Sequence, residues 1–176
     1  MSYLTLQRTI LASSISFSFI LVGNAVTQSF MTVPALLLNF PLPGGPDYIT
    51  RTAHLGAQWP LLWAVGNRFF RPISTFGIIG YAFSAFAAHT NDTGFGKSRD
   101  WRFLAVAAVC HFVNVVHSAV NMQPLNEKLE GLAREGHDGK GNAQAREWAE
   151  RWRRRNLVRL VLPAVAGVLA LGQAVV

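Results

Sequence analysis

Two imidazoles and two carboxamides interrupt an apolar stretch in the second half of the chain: His111, Asn114, His117 and Asn121. On an α-helix the last three are spaced i, i+3 and i+7, which places them on one face. His111, Asn114 and Ser118 repeat the i, i+3 and i+7 spacing and extend that face. Because such a stripe is costly against lipid, the sequence predicts that it faces the interior of a helical bundle or a water-accessible cavity.

Two kinds of chemistry are open to this polar stripe. Its side chains could join helices through hydrogen bonds, each contributing about 0.6 kcal/mol. The partners for those bonds in the first apolar segment would be Ser18, Asn24 and Gln28. Imidazole also takes up and releases protons near neutral pH, so the histidines are candidates for a proton path, a general base or a ligand site.

A metal site formed by His111 and His117 alone is not expected. These residues are six positions apart, which rotates one direction by about 240° from the other, or about 120° the shorter way round, on an ideal helix. Two metal-binding histidines on one helix prefer i, i+4. A site that also uses His54 or His89 stays open. The single cysteine, Cys110, provides neither an intrachain disulfide nor a cysteine-based metal cluster.

A second polar group surrounds the charged segment that follows the stripe. Pro124 predicts a break in the helix, and Asn126 is placed to cap the helix after it. Further along, Trp152 and Asn156 are one helical turn apart, and Arg159 follows Asn156 by three positions. Tryptophan and arginine here are also typical of a belt at the membrane surface. Arg159 lies just inside an apolar run, so it either reaches back to the headgroups or faces inward.

The composition indicates an integral membrane protein. Of the 176 residues, 51% are hydrophobic and 14% are charged, against about 25% charged residues in a typical soluble domain. The formal net charge is +7, and eight of the sixteen Lys and Arg fall in 128–155, beside apolar runs. A cytoplasmic location of that segment explains the placement. No nucleic-acid-binding motif accompanies it, so a nucleic-acid partner is not expected.

The apolar runs predict an all-α fold, an integral membrane four-helix bundle with additional interfacial helices, in one domain covering 1–176. Spans are expected at about 10–35, 73–89, 101–120 and 157–176. An interfacial helix is expected at about 47–70, where tryptophans and cations interrupt the apolar run, and a cytoplasmic amphipathic segment at 124–155. The first run exceeds the length of a signal peptide, so we expect it to be retained.

The distribution of Lys and Arg predicts the sidedness of the protein. It places 36–72 and 121–156 in the cytoplasm and both termini outside. A crossing by 47–70 would reverse the assignment of the N-terminus. Asn91 begins a glycosylation sequon, but it lies almost at the end of a span, so we expect it to be unused.

Short motifs on either side of the charged segment follow a recognisable order. They are Pro124-Leu125-Asn126, then Trp152, then Asn156-Leu157-Val158-Arg159 before the last span. Upstream, Trp59, Gly66 and Pro72 lie within "QWPLLWAVGNRFFRP". From Gln58 onward the chain resembles the anthrone oxygenase family of small four-span membrane proteins, which has a fungal polyketide branch and bacterial relatives. Fungal members often carry a histidine after the glycine, where this chain has Asn67. If that histidine is their base, another residue must take the role here.

The resemblance implies a membrane-bound oxygenase that converts an anthrone to an anthraquinone with dioxygen as co-substrate and without a cofactor. Such chemistry requires a base for a benzylic proton, a donor to the resulting anion and an apolar site. His117 is the preferred base, His54 the second and His111 a further candidate. The candidate substrate-binding residues are Asn114, Asn121, Asn126, Trp152, Asn156, Arg159 and Trp59.

The expected partners follow from this interpretation. They are a planar aromatic small molecule and the lipid bilayer, in an endoplasmic reticulum-type membrane if the organism is eukaryotic, and assembly into a homo-oligomer is compatible with the sequence. Two alternatives stay open. One is a non-catalytic carrier or scaffold, and the other is a metal-dependent oxygenase with histidine ligands from different helices.

Overall fold

A computed structural model describes residues 3–90 and 100–175, and all regular elements within these residues are helical. The α-helices are α1 Tyr3–Thr27, α2 Val33–Leu36, α3 Tyr48–His89, α4 Trp101–His117, α5 Gln123–His137, α6 Ala145–Asn156 and α7 Val158–Val175. The predicted all-α fold is confirmed. The Asn91 sequon lies outside the described residues, and so do Lys97 and Arg99, which contribute to the distribution of Lys and Arg that predicts sidedness.

Three helical stretches are long and apolar enough to cross a membrane: Tyr3–Leu36, Trp101–His137 and Ala145–Val175. Many of their outward side chains are apolar; Phe112 is 57% exposed and Val168 is 60% exposed. Such surfaces suit lipid rather than water. By length and composition the chain is therefore a multi-pass membrane protein. Helix α3 is not among these stretches, so the fourth crossing at 73–89 stays a prediction.

Helix α3 differs from the separate helices expected at 47–70 and 73–89. Tyr48–His89 is one helix of 42 residues, about 63 Å long at 1.5 Å per residue, which is roughly twice the thickness of a bilayer's hydrocarbon core. Pro60 and Pro72 both lie inside it. A proline removes one backbone hydrogen bond and crowds the preceding turn, but the bonds of the neighbouring turns keep this helix continuous.

A π-helical turn joins α1 to α2, and another joins α4 to α5. These turns are Gln28–Thr32 and Ser118–Met122, and each ends two residues before a proline, Pro34 or Pro124. A proline crowds the carbonyl four residues before it and cannot donate to that group; a wider turn relieves this conflict without ending the helix. The predicted break at Pro124 and cap at Asn126 are therefore wrong, since Asn126 lies inside α5.

The contacts of the chain form two compact units, each with its own core. The described residues of the first unit are 3–24, 70–90, 100–116 and 159–175. Its buried apolar residues include Leu11, Tyr81, Leu104, Ala107, Ala166 and Ala170. Small side chains allow helices to approach closely, as is usual in membrane bundles. The assignment of 1–176 to one domain stays a prediction.

The second unit consists of Ala25–Phe69 and His117–Val158. Its core contains larger side chains, including Leu55, Trp59, Met122, Leu129, Leu132 and Trp152. Here α3 and α5 approach closely through glycines. A β-carbon added at Gly56 would overlap the amide nitrogen of Ala133, and one added at Gly136 would overlap Ala53. These contacts position the two helices that carry Trp59 and Asn126.

Gly56→Ala is expected to destabilise the protein by about 1–3 kcal/mol, because the two nearest atoms that the new methyl meets are backbone atoms of Ala133 and Leu132 and cannot rotate away. Gly131→Ala is the matched control on α5, since a β-carbon there meets no atom within 4 Å, and it should stabilise the helix by up to about 1 kcal/mol. Thermal unfolding of the detergent-solubilised variants measures both effects. Equal unfolding midpoints for the two variants would contradict the close approach of α3 and α5.

Candidate active site

The carboxamide of Asn126 connects two tryptophans in the core of the second unit. Its Oδ1 accepts the indole N–H of Trp152 at 2.7 Å and that of Trp59 at 3.2 Å. The two indole rings meet edge to face, with centroids 5.4 Å apart and planes at 88°. All three side chains are buried. Three of the predicted substrate-binding residues, from α3, α5 and α6, therefore lie together.

Three hydrogen bonds connect the imidazole of His117, Asn121 and Arg155 into a ring in the same unit. His117 Nε2 lies 3.1 Å from the backbone carbonyl of Arg155, and its Nδ1 lies 3.1 Å from Asn121 Nδ2. The guanidinium of Arg155 closes the ring by donating to the backbone carbonyl of Asn121 at 2.8 Å. The preferred candidate base and one of the candidate donors are therefore in direct contact.

This geometry determines which nitrogen of His117 is basic. A carbonyl oxygen only accepts hydrogen bonds, so Nε2 must carry the proton that is donated to Arg155. Nδ1 then keeps its lone pair and accepts from the amide of Asn121. The imidazole is held as one neutral tautomer, with a basic nitrogen beside an amide donor.

Helix α6 contacts both π-helical turns and brings these groups together. Its buried residues are Ala145, Ala149, Trp152 and Asn156, spaced by four, three and four, which forms one stripe along the helix. Asn156 Nδ2 donates to Ser29 Oγ at 2.9 Å and to the carbonyl of Ala25 at 3.3 Å. Asn156 is fully buried. It contacts the first π-helical turn, whereas Arg155 contacts the second through the carbonyl of Asn121.

His111 belongs to a different cluster, in the first unit. Its Nε2 lies 2.9 Å from Ser18 Oγ, which in turn lies 2.8 Å from the hydroxyl of Tyr81. All three residues are buried, and the rings of His111 and Tyr81 are 5.4 Å apart. A β-carbon at Gly77 would overlap the imidazole, so this glycine makes room for it against α3. The arrangement is an interhelical hydrogen-bond network, with Ser18 as the expected partner.

The remaining candidates are distributed over both units. Asn114 is buried and Arg159 is partly buried, and both belong to the first unit. His54 lies on α3 in the second unit and is exposed. The polar stripe of α4 is thus divided, because His111 and Asn114 belong to one unit and His117 and Asn121 to the other. The candidates in the second unit are His54, His117, Asn121, Asn126, Trp59, Trp152 and Asn156.

Three residues of these clusters were not expected from the sequence: Ser29, Tyr81 and Arg155. Arg155 is one of the arginines whose placement is typical of a belt at the membrane surface, yet it lies three positions after Trp152, which places the two on neighbouring parts of α6. Ser29 follows Gln28 in an otherwise apolar run, and that polar pair was available as an indication. Nothing in the sequence distinguishes Tyr81 from other aromatic residues of the spans.

Candidate metal ligands do not gather in one place within the described residues, 3–90 and 100–175. Within them, no group of three or more His, Cys, Asp and Glu side chains is arranged to hold a metal ion.

Comparison with known proteins identifies the family. A family model described as anthrone oxygenase matches residues 59–169, which is more than half of the chain. The match contains Trp59, Asn126, Trp152 and Asn156, as well as His117. Neither the curated proteins nor the solved structures include a match. With the motifs, the all-α membrane fold and the family match in agreement, the chain belongs to the anthrone oxygenase family.

Proposed function

We propose that the protein is a membrane-bound oxygenase that oxidises a planar phenolic anthrone to an anthraquinone with dioxygen. Membership of the family supports an oxygenase-like role. The observation that carries the finer proposal is the orientation of His117, whose Nε2–H donates to the Arg155 carbonyl and whose Nδ1 accepts from the amide of Asn121. A positioned base next to a hydrogen-bond donor is the pair of groups that carbanion formation requires.

The reaction replaces the methylene group of the anthrone by a carbonyl. The Asn121 amide turns from Nδ1 of His117 to the substrate oxygen, and Nδ1 takes one methylene proton. The electron pair of that C–H bond spreads over the rings as a phenolate-like carbanion. The carbanion reduces dioxygen and forms a C–O bond, which gives a hydroperoxide once a proton is returned. Loss of the second C–H proton and cleavage of the O–O bond then yield the carbonyl and one water molecule.

The other residues of the second unit have separate roles in this proposal. Asn121 donates its amide N–H to the oxygen that carries the developing negative charge. Trp59 and Trp152, held by Asn126, form a rigid aromatic wall against which flat rings can pack. Asn156 holds α6 against the first π-helical turn. An apolar substrate partitions into the bilayer, so a site within a membrane protein suits its delivery.

The test is oxygen consumption by purified protein in detergent, with an anthrone as substrate and a chelator present. We expect uptake of one dioxygen per anthrone, formation of the anthraquinone and no effect of the chelator. Uptake that the chelator removes and an added metal ion restores would instead support the metal-dependent alternative. Absence of uptake above the spontaneous rate, with several hydroxylated anthrones, would contradict the proposal and favour a carrier or scaffold.

Arg155 is expected to position His117 and Asn121 without contacting the substrate. Arg155→Gln removes the charged hydrogen bond to the Asn121 carbonyl and should lower kcat about tenfold with little change in KM. Arg155→Lys keeps a charged donor and should retain most of the rate. Arg153→Gln is the matched control, because Arg153 lies on the exposed face of α6. Equal kcat values for Arg155→Gln and Arg153→Gln would remove Arg155 from this role.

A further inference from the structure

A buried carboxamide at the start of the first π-helical turn has one unused hydrogen-bonding atom. Gln28 is 7% exposed, and its Nε2 donates to the backbone carbonyl of Leu62 at 3.3 Å. Since that carbonyl only accepts, the amide must present Nε2 to it and direct Oε1 elsewhere. Oε1 is buried and has no hydrogen-bond partner among residues 3–90 and 100–175.

A second buried atom without a partner among the described residues belongs to α3, one residue after the carbonyl that Gln28 contacts. The Gln28 carboxamide contacts α3 at the carbonyl of Leu62, and the next residue of the helix is Trp63. The indole Nε1 of Trp63 is buried and also lacks a partner within the described part of the chain. Trp63 follows Trp59 by one turn and packs against the same core.

Two such atoms in one region require an explanation. Buried polar atoms are paired in the great majority of cases, and an unpaired one costs about 1–3 kcal/mol. An indole N–H is only a donor, and a carboxamide oxygen is only an acceptor. Together they complement a molecule that offers one acceptor and one donor.

We infer that Gln28 and Trp63 form a recognition pair for a planar aromatic ligand that carries both a carbonyl and a phenolic hydroxyl. Gln28 Oε1 accepts from the hydroxyl, and Trp63 Nε1 donates to the carbonyl. The identification of this ligand as substrate rests on the proposed function. The recognition pair then determines specificity, because an aromatic ketone without a hydroxyl leaves the Gln28 oxygen unpaired in the core.

The test compares the binding of a hydroxyanthraquinone and of unsubstituted anthraquinone, both stable towards dioxygen, to the full chain in detergent by calorimetry. Wild-type protein is expected to bind the hydroxylated ligand about tenfold more tightly. Gln28→Leu should bring that ratio close to one. Trp63→Phe keeps an aromatic ring but removes the donor. It should weaken the binding of both ligands by a similar factor and preserve the ratio of their affinities.

Two matched variants control for general damage to the second unit. Gln123→Leu removes a carboxamide beside the second π-helical turn, where Gln123 pairs with Glu127. Trp148→Phe removes the indole N–H of a tryptophan that packs against the same core and lies beneath Lys128. Both should bind the two ligands as the wild type does.

An unchanged ratio in Gln28→Leu, or unchanged affinities in Trp63→Phe, would overturn the inference. A lower unfolding midpoint without any change in ligand binding would overturn it as well, and would assign the two atoms to a buried water molecule. Oxygen consumption measured in parallel separates the two proposals. If the protein binds the hydroxylated ligand more tightly but consumes no oxygen, only the oxygenase function is contradicted. If it consumes oxygen but binds both ligands equally, only the recognition pair is contradicted.

Discussion

His117→Ala is expected to lower anthrone turnover by about a hundredfold to ten-thousandfold, the range that a positioned general base contributes. The variant should still insert into membranes, because His117 is only partly buried and its partners, Asn121 and the Arg155 carbonyl, lie on stretches anchored by other contacts. Initial rates of oxygen uptake at equal protein concentration measure the effect.

His137→Ala is the control for His117→Ala, since His137 ends α5 and is exposed. It should retain the wild-type rate. His54→Ala tests whether the base is instead His54, the second candidate, which lies on α3 in the same unit. A wild-type rate for His117→Ala combined with a strong loss for His54→Ala would transfer the role of base to His54. Wild-type rates for both would remove these two residues from the mechanism.

Asn126→Ala is expected to abolish turnover and to destabilise the fold by about 2–4 kcal/mol, because it leaves the buried N–H groups of Trp59 and Trp152 without their common acceptor. Membrane insertion should be unaffected, since the apolar stretches that determine it are unchanged. Oxygen uptake measures the first effect and thermal unfolding in detergent measures the second.

A double-mutant cycle tests the cause of the Asn126→Ala effect. When Trp59 and Trp152 are both replaced by phenylalanine, no indole N–H remains to be satisfied, so the loss of stability caused by Asn126→Ala should shrink markedly. An undiminished loss in that background would show that the two hydrogen bonds do not explain the importance of Asn126. Wild-type turnover of Asn126→Ala would exclude it from the site.

Both π-helical turns lie where the candidate residues are concentrated. The first begins with Gln28 and contains Ser29, which binds Asn156. The second follows His117 and contains Asn121, which binds Arg155. Wide turns of this kind are frequent at functional sites. Here each one lets a proline-containing helix continue, and α6 packs against both.

The general class of the protein was predictable from its sequence. Long apolar runs indicate membrane helices because the bilayer interior provides no water to satisfy a non-helical backbone. The motifs Pro124-Leu125-Asn126 and Asn156-x-x-Arg159 were sufficient to indicate the family, which the match over 59–169 confirms. The aromatic residues Trp59 and Trp152 were also recognisable as candidates, because they accompany those motifs.

The partners of the polar side chains were decided by the tertiary structure. Periodicity places His111 and His117 on the same predicted helix, but it does not specify which neighbouring segments approach each of them. Ser18 and Tyr81 contact His111, whereas Asn121 and Arg155 contact His117. Helical spacing contains only local information, and the pairing of Asn126 with two distant indoles depends on how α3, α5 and α6 pack. The sequence thus determined the membrane class and the family, and the packing of helices decided which polar groups meet.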